Sequence, residues 1–346
     1  MRVRIPPHYP FSLFNLAKSS GWKYDDPPME TKLTVIRETA MEQAPIEKLR
    51  ECLTNGDIVW LDVLGKDQIE FSTLAEPFGF HPLSLEDAME AVLRPKVETF
   101  LNYVFVAVRA INHEAGARPH DTIGLKLFLG ERFLVSVHRR PLASISTVHE
   151  KLPHLLRRSN HPSIVLAGLC SDVIDYFDPV VRELEDRIED LEEASFQNPS
   201  VSAGEKLLAA QREVLLLRRA AVPVRDLLHT ILERADPLIT AEARVHLRDA
   251  LDEITRITDW LNVLRELSTG ALTMYQAALD NQTNAIMKFL SIAATLALPM
   301  NVIVGFYGMN VALPAQQKAW AVFMVVGVML SVLVILLTVF KRKRWI

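Results

Sequence analysis

Two long stretches near the carboxyl end contain no charged residue, and they limit what the whole chain can be. Residues 289–317, between Lys288 and Lys318, and residues 319–340, between Lys318 and Lys341, are each long enough to cross ~30 Å of hydrocarbon as a helix of ~20 residues. The second is apolar all round, too long for an ordinary core helix, and ends in Lys341-Arg342-Lys343-Arg344-Trp345. Four basic residues beside a span place that end in the cytoplasm, and Trp345 suits the headgroup level. Two spans return the chain to its starting side, so both termini are expected in the cytoplasm, joined across the membrane by a short outer loop at 311–318.

Charge follows the same division. The formal net charge is −4, yet all 42 Asp and Glu precede Lys288, while six of the 38 Lys and Arg lie from Lys288 onward; residues 1–287 therefore carry about −10. With 346 residues and 49% hydrophobic content, disorder is excluded as the main state. Cys52 and Cys170 stand far apart, which excludes a disulfide framework, a CxxC redox motif and a cysteine-rich zinc site, and fits a reducing compartment. The chain opens Met-Arg-Val-Arg, but Pro6, Pro7 and Pro10 interrupt any signal-like apolar run. Residues 1–28 read as a disordered, proline-spaced tail, with Met29 a candidate start.

The two spans differ in kind. The second has only Ser331 and Thr338 as polar side chains, whereas Asn284, Ser291, Thr295, Asn301, Gly305 and Gly308 mark the first. Steps of three, four and seven residues link Asn284, Ser291, Thr295 or Leu298, Asn301 or Val302, and Gly305, which stacks them along one stripe of a helix. Such a stripe meets either close-packed helices or a water-filled path. Both require several copies of the chain, because one hairpin encloses nothing.

Upstream, strand and helix signals alternate through residues 29–140: strands at 31–38 and 58–65, helices at 67–78 and 82–91, β-rich runs at 97–111 and 123–137. This predicts a compact α/β domain. Residues 141–236 read as helical, with single helices at 163–195 and 201–235 punctuated by Asn198-Pro199 and Asp236-Pro237. From 237 to 310 helical spacing continues into the first span, and a helix over 238–309 would be ~105 Å long. The acidic run from Asp172 to Glu193 reads as a solvated face or a cation-attracting surface. His149, His154 and His161, at spacings of five and seven, predict surface histidines in preference to a metal site. No GxGxxG, GxxxxGK, HExxH or GxSxG motif occurs, so no enzyme is expected.

At the outer end of the first span stands Gly305-Phe306-Tyr307-Gly308-Met309-Asn310, whose Tyr-Gly-Met-Asn resembles the signature of the CorA family of divalent-cation channels. It follows a long helix and precedes a second span and a basic tail, as in that family. His81-Pro82-Leu83-Ser84-Leu85-Glu86-Asp87, Arg94-Pro95-Lys96-Val97-Glu98 and Asn102-Tyr103-Val104-Phe105 also resemble its cytoplasmic segments. The resemblance implies a homopentameric funnel: an α/β cytoplasmic domain, long helices and a two-helix transmembrane hairpin (spans ending at 310 and covering 319–340, tail 341–346). It further implies a filter of Gly308, Met309 and Asn310, a pore lined by Asn284, Met287, Ser291, Thr295, Leu298, Asn301 and Gly305, and a basic collar of Lys341, Arg342, Lys343 and Arg344. Mg²⁺ dehydrates reluctantly, so neutral oxygen dipoles can hold it through its waters without trapping it. Regulatory cation binding is implied at Asp87 and Asp249, with Glu86 and Asp172 nearby, although Cys170 stands where an aspartate is common.

The outer loop departs from magnesium members: it carries no acid and contains Lys318, closer to the zinc-transporting ZntB branch. The expected cargo is Mg²⁺, with Co²⁺ and Ni²⁺, and Zn²⁺ is the alternative. No catalytic cofactor and no nucleic acid is expected; the partners are other copies, the inner-membrane bilayer and divalent cations. A membrane scaffold or metal sensor without conduction is the rival of another class.

Overall fold

The computed structural model describes residues 29–37, 40–65, 67–90, 94–112, 121–157, 159–197, 199–234, 236–309, 320–343 and 345. The tail at 1–28, Asn310, the outer loop at 311–318 and Arg344 lie outside the described residues. The chain divides into two units, Met1–Leu191 with Glu205–Gly270, and Glu192–Gly204 with Ala271–Ile346.

The first unit is built on a seven-stranded sheet in the order β2-β1-β3-β7-β6-β5-β4. Its strands are β1 (Glu30–Arg37), β2 (Ala40–Ala44), β3 (Ile58–Leu64), β4 (Lys96–Thr99), β5 (Tyr103–Ile111), β6 (Thr122–Gly130) and β7 (Phe133–His138). Among the described strands only the β3–β7 pair is parallel, with Trp60 opposite Leu134 and Asp62 opposite Ser136. β5 is apolar almost throughout, as a strand covered on both faces must be. Alternation sends Val104, Val106 and Val108 into one core and Tyr103, Phe105 and Ala107 into the other.

The second of these cores packs under α1 (Leu49–Asn55), α2 (Gln68–Ala75) and α3 (Pro82–Met89). Stacked rings fill it, with Phe80 on Phe128 at 4.2 Å. Gly130 allows Phe133 to lie flat there, because a Cβ would come within 2.2 Å of its ring. The first core is closed by α4 (Ala143–Leu156), α5 (Pro162–Asp175), α6 (Phe177–Gln197), α7 (Val201–Arg234) and the early part of α8 (Ala241–Tyr307). Recurrent buried residues Leu247, Ile254, Ile257, Leu261 and Leu264 form the inward stripe of α8.

Two sequence expectations are corrected here, and one unforeseen strand is added. The helix expected over 163–195 is two helices: α5 ends at Asp175, Tyr176 caps it, and α6 restarts at Phe177 with Pro179 in its first turn, where proline is tolerated. The edge strand β2 has no β-branched residue and gave no strand signal. His149 is not a surface histidine. It is 8% exposed and stacks on Trp60 with ring centroids 3.9 Å apart; burial, with Lys32 adding, pushes its pKa down to about 4. His154 is exposed, and His161 caps α5 by accepting the Ser163 N–H.

A buried polar chain crosses the parallel pair. Trp60 Nε1 donates to Ser136 Oγ at 3.0 Å, Ser136 donates to Asp62, and His138 Nε2 lies 3.2 Å from Asp62 Oδ1. Burial opposes charge on His138, but the hydrogen bond and charge of Asp62 outweigh it and raise the imidazole pKa.

In the second unit the α6–α7 turn meets α8. Ser200 caps α7 through its Oγ, which accepts the Ala203 N–H at 3.2 Å, and its carbonyl accepts the Tyr275 hydroxyl at 2.9 Å. The remainder of α8 and α9 (Trp320–Arg342) complete this unit. α8 runs 67 residues without a break, ~100 Å, and passes through Pro299.

Candidate functional site

The residues singled out by sequence fall into two groups. The first surrounds α3, which is fixed at both ends. At its start His81 Nδ1 accepts the Leu83 N–H, Pro82 takes the first helical position, and Tyr103 Oη receives the His81 N–H at 3.0 Å. At its end Arg139 donates to the Met89 carbonyl at 2.5 Å and Lys126 to the Glu90 carbonyl at 2.8 Å. Cations at a helix carboxyl end satisfy orphan carbonyls and complement the dipole. Lys126 is fully enclosed, and burial with Arg139 nearby pushes its ammonium down to about 8.

On the helix so fixed, Glu86 is exposed, while Asp87 Oδ2 accepts from Lys96 Nζ at 2.6 Å. The same ammonium reaches Glu98 Oε1 at 2.9 Å and sits over the Phe105 ring, 5.7 Å from its centroid. Lys96 and Glu98 share one face of β4 because they are two residues apart.

Asp249 on α8 belongs to a second set of carboxylates. Burial pushes Asp175 up to about 6, and the charges of Asp172, Glu253 and Asp249 add to it, against Lys151. Asp172 is buried and paired through Oδ1 with Lys151 at 2.8 Å. Cys170 is buried too, and burial pushes its thiol up to about 12. Among the described residues, no group of three or more His, Cys, Asp or Glu is arranged to hold a metal ion within one chain.

The second group lies on α8. Asn284, Met287, Ser291, Thr295, Leu298, Asn301 and Gly305 are all exposed in the single chain, and a Cβ at Gly305 would meet nothing within 4 Å. Pro299 has no N–H, so the Thr295 carbonyl on this stripe loses its intrahelical donor. The helix ends at Tyr307; Gly308 N donates to the Val304 carbonyl at 2.8 Å and Met309 follows, before Asn310 outside the described residues. A Cβ at Gly308 would come 3.0 Å from that carbonyl, so the turn into the motif favours glycine.

α9 satisfies its own hydroxyls. Ser331 donates to the Gly327 carbonyl and Thr338 to that of Val334, so both hydroxyls are satisfied within the helix. Lys341 and Arg342 form its last turn, Lys343 N donates to the Val339 carbonyl, and Trp345 folds back to stack on Phe340 at 5.9 Å. Both α8 and α9 contain segments apolar and long enough to cross a membrane, and neither segment is buried.

Lys96, Lys126 and Arg139 were not singled out by sequence as site residues, although Lys96 lay within a recognised segment. Their signal was available only in part: a lysine inside an apolar strand, as at Lys126, needs a polar partner, but the sequence does not name it.

A seven-stranded α/β domain, a 67-residue helix and a second carboxyl-terminal helix, the last two each holding an apolar segment of membrane length, define a protein with two candidate membrane spans. Residues 55–342 match the family described as CorA-like Mg²⁺ transporter protein, and the chain belongs to that family. Among relatives, it is 28% identical over 291 residues to the cobalt/magnesium transport protein CorA of Thermotoga maritima, covering 83% of each chain. It is 21% identical over 258 residues to the zinc transport protein ZntB of Pectobacterium carotovorum, covering 73% of this chain and 77% of that one. Among solved structures, the complete CorA magnesium transporter of Methanocaldococcus jannaschii superposes with a TM-score of 0.77 at 19% identity, over 91% of this chain and 98% of that one. The fold is therefore that of a full-length CorA protein.

Proposed function

We propose that five copies of the chain form a divalent-cation channel in the inner (plasma) membrane, with both termini cytoplasmic and Mg²⁺ as the main cargo, Co²⁺ and Ni²⁺ passing as well. The observation that carries this reading is the polar stripe of α8, which leads without a helix break to Gly308-Met309-Asn310. Asn284, Ser291 and Thr295 need polar surroundings, and five such stripes facing an axis would supply a wet path. Met287 and Leu298 are apolar rings within it, suited to gating by dewetting. Gly308, Met309 and Asn310 form the outer filter, where amide and carbonyl oxygens hold the hydrated ion. Lys341 to Arg344 form the basic collar at the cytoplasmic face.

Cytoplasmic cation regulates the pore in this account. Asp87 of one subunit and Asp249 of the next face each other, with Glu86 and Asp172 close by, and a divalent ion relieves their repulsion and holds the closed form. A site split between subunits accords with the lack of a complete ligand set within one chain among the described residues.

Zn²⁺ is the second reading, favoured by the acid-free outer loop and by likeness to ZntB. The test is uptake into proteoliposomes of purified protein, with Mg²⁺, Co²⁺, Ni²⁺ and Zn²⁺ in parallel. Mg²⁺ uptake exceeding Zn²⁺ uptake is expected. The reverse order selects the zinc reading, and no flux of any ion selects a scaffold or sensor.

A further inference from the structure

Asp87 is already occupied by a cation of the chain itself. Lys96 Nζ lies 2.6 Å from Asp87 Oδ2 and 2.9 Å from Glu98 Oε1, with side-chain exposures of 28%, 22% and 43%. Glu98 is held opposite Phe105 in the β4–β5 pair, and the Phe105 ring underlies the ammonium. An Mg²⁺ bound directly would sit ~2.0–2.1 Å from a carboxylate oxygen. Two cations sharing that one oxygen would be within ~4 Å of each other and repel strongly. The ammonium and an ion bound directly to that oxygen therefore compete.

We infer that Lys96 is a tethered competitor for the divalent cation at Asp87, and that it sets the cation concentration at which the regulatory site fills. This rests on the regulatory reading given above. Lysine suits the task better than arginine, because its ammonium is a single point on a flexible stem and forms no bidentate fork with the carboxylate. Glu98 gives the displaced ammonium a place to stay, so filling the site breaks one of its two contacts. Meanwhile Arg139 and Lys126 hold the end of α3, so Asp87 stays in position while Lys96 moves. If the pair served only to pin α3 to β4, removing Lys96 would loosen Asp87 and weaken the cation response. A competitor gives the opposite sign.

The experiment is protease protection of the full-length protein in detergent, titrated with MgCl₂, for wild type, Lys96→Met, Lys96→Gln and Asp87→Asn. Both Lys96 variants should be half protected at an Mg²⁺ concentration about two- to fivefold below wild type, the range expected from losing one partly exposed ion pair. Asp87→Asn should lose the protection. If Asp87→Asn loses it but both Lys96 variants keep the wild-type midpoint or shift upward, the competitor role is overturned and the regulatory site stands. If Asp87→Asn responds like wild type, both are overturned. Size-exclusion profiles matching wild type confirm that each variant is folded and assembled before its midpoint is compared.

Discussion

Trp260 on α8 donates its indole N–H to Glu185 on α6 at 2.9 Å, and Arg182, one turn earlier on α6, lies over the same ring at 5.0 Å from its centroid. Arg182 is in turn held by Asp178, and Arg256 of α8 pairs with Glu253 and approaches Asp178 at 3.9 Å. Part of the acidic run on α6 is thus an attachment to the long helix.

Replacing this tryptophan should weaken the attachment in two stages. Trp260→Phe keeps an aromatic body but loses a hydrogen bond to a charged group, about 1.5–3 kcal/mol. Trp260→Ala also loses the ring and should cost more, though less than the ~3–5 kcal/mol of a fully buried aromatic because Trp260 is half-buried. Denaturant unfolding of the detergent-solubilised protein checks the order.

The α6–α7 turn makes a similar test. A Cβ on Gly204 would lie 2.7 Å from the Tyr275 ring, so Gly204→Ala must push that ring away from the Ser200 carbonyl. A cost of about 1–3 kcal/mol is expected, against about 0.5–1.5 for Tyr275→Phe, which removes only the hydrogen bond. Faster amide exchange at residues 199–204 in both variants, greater in the first, is the measurement.

Acid stability should depend on His149. Burial holds its pKa down to about 4, below the ordinary ~6.5. Between those values the unfolded chain binds the proton and the folded chain does not, so stability falls as pH drops from 6.5 toward 4, by up to about 3 kcal/mol. His149→Phe keeps a ring against Trp60 and should flatten that slope. His138 acts in the other window: its raised pKa contributes stability below pH ~6.5 that is lost as pH rises through the folded value. His138→Gln should therefore lose more stability near pH 6 than near pH 9.

The two membrane-length helices were legible because charge-free runs of that length have few physical explanations. The α/β domain was legible as a class, since β5 and β6 are apolar strands bounded by turns. What escaped the sequence depended on partners distant in the chain. His149 looked polar and superficial until Trp60, on another element, covered it. Lys96 stood in a recognised segment, but the sequence did not name Asp87, which α3 brings to 2.6 Å, as its partner. The α5–α6 break escaped for a local reason: Pro179 in a first turn weakens no helix, so it signals a start only when the preceding cap is known.

The proposed pore face can be mapped chemically. Cysteines at Asn284 and Asn301 should react with water-soluble thiol reagents in membrane-embedded protein, while a cysteine at Val334 on α9 should stay unmodified. Equal protection at all three would contradict an aqueous path along α8.

The central claim is that Asn310 forms the ion-selecting ring of a conducting assembly. Mg²⁺ uptake into proteoliposomes by Asn310→Ala, with native mass spectrometry of the same sample reporting the oligomer, tests it most directly. The account predicts an intact pentamer with uptake reduced to the level of empty liposomes. A pentamer conducting at the wild-type rate would contradict it.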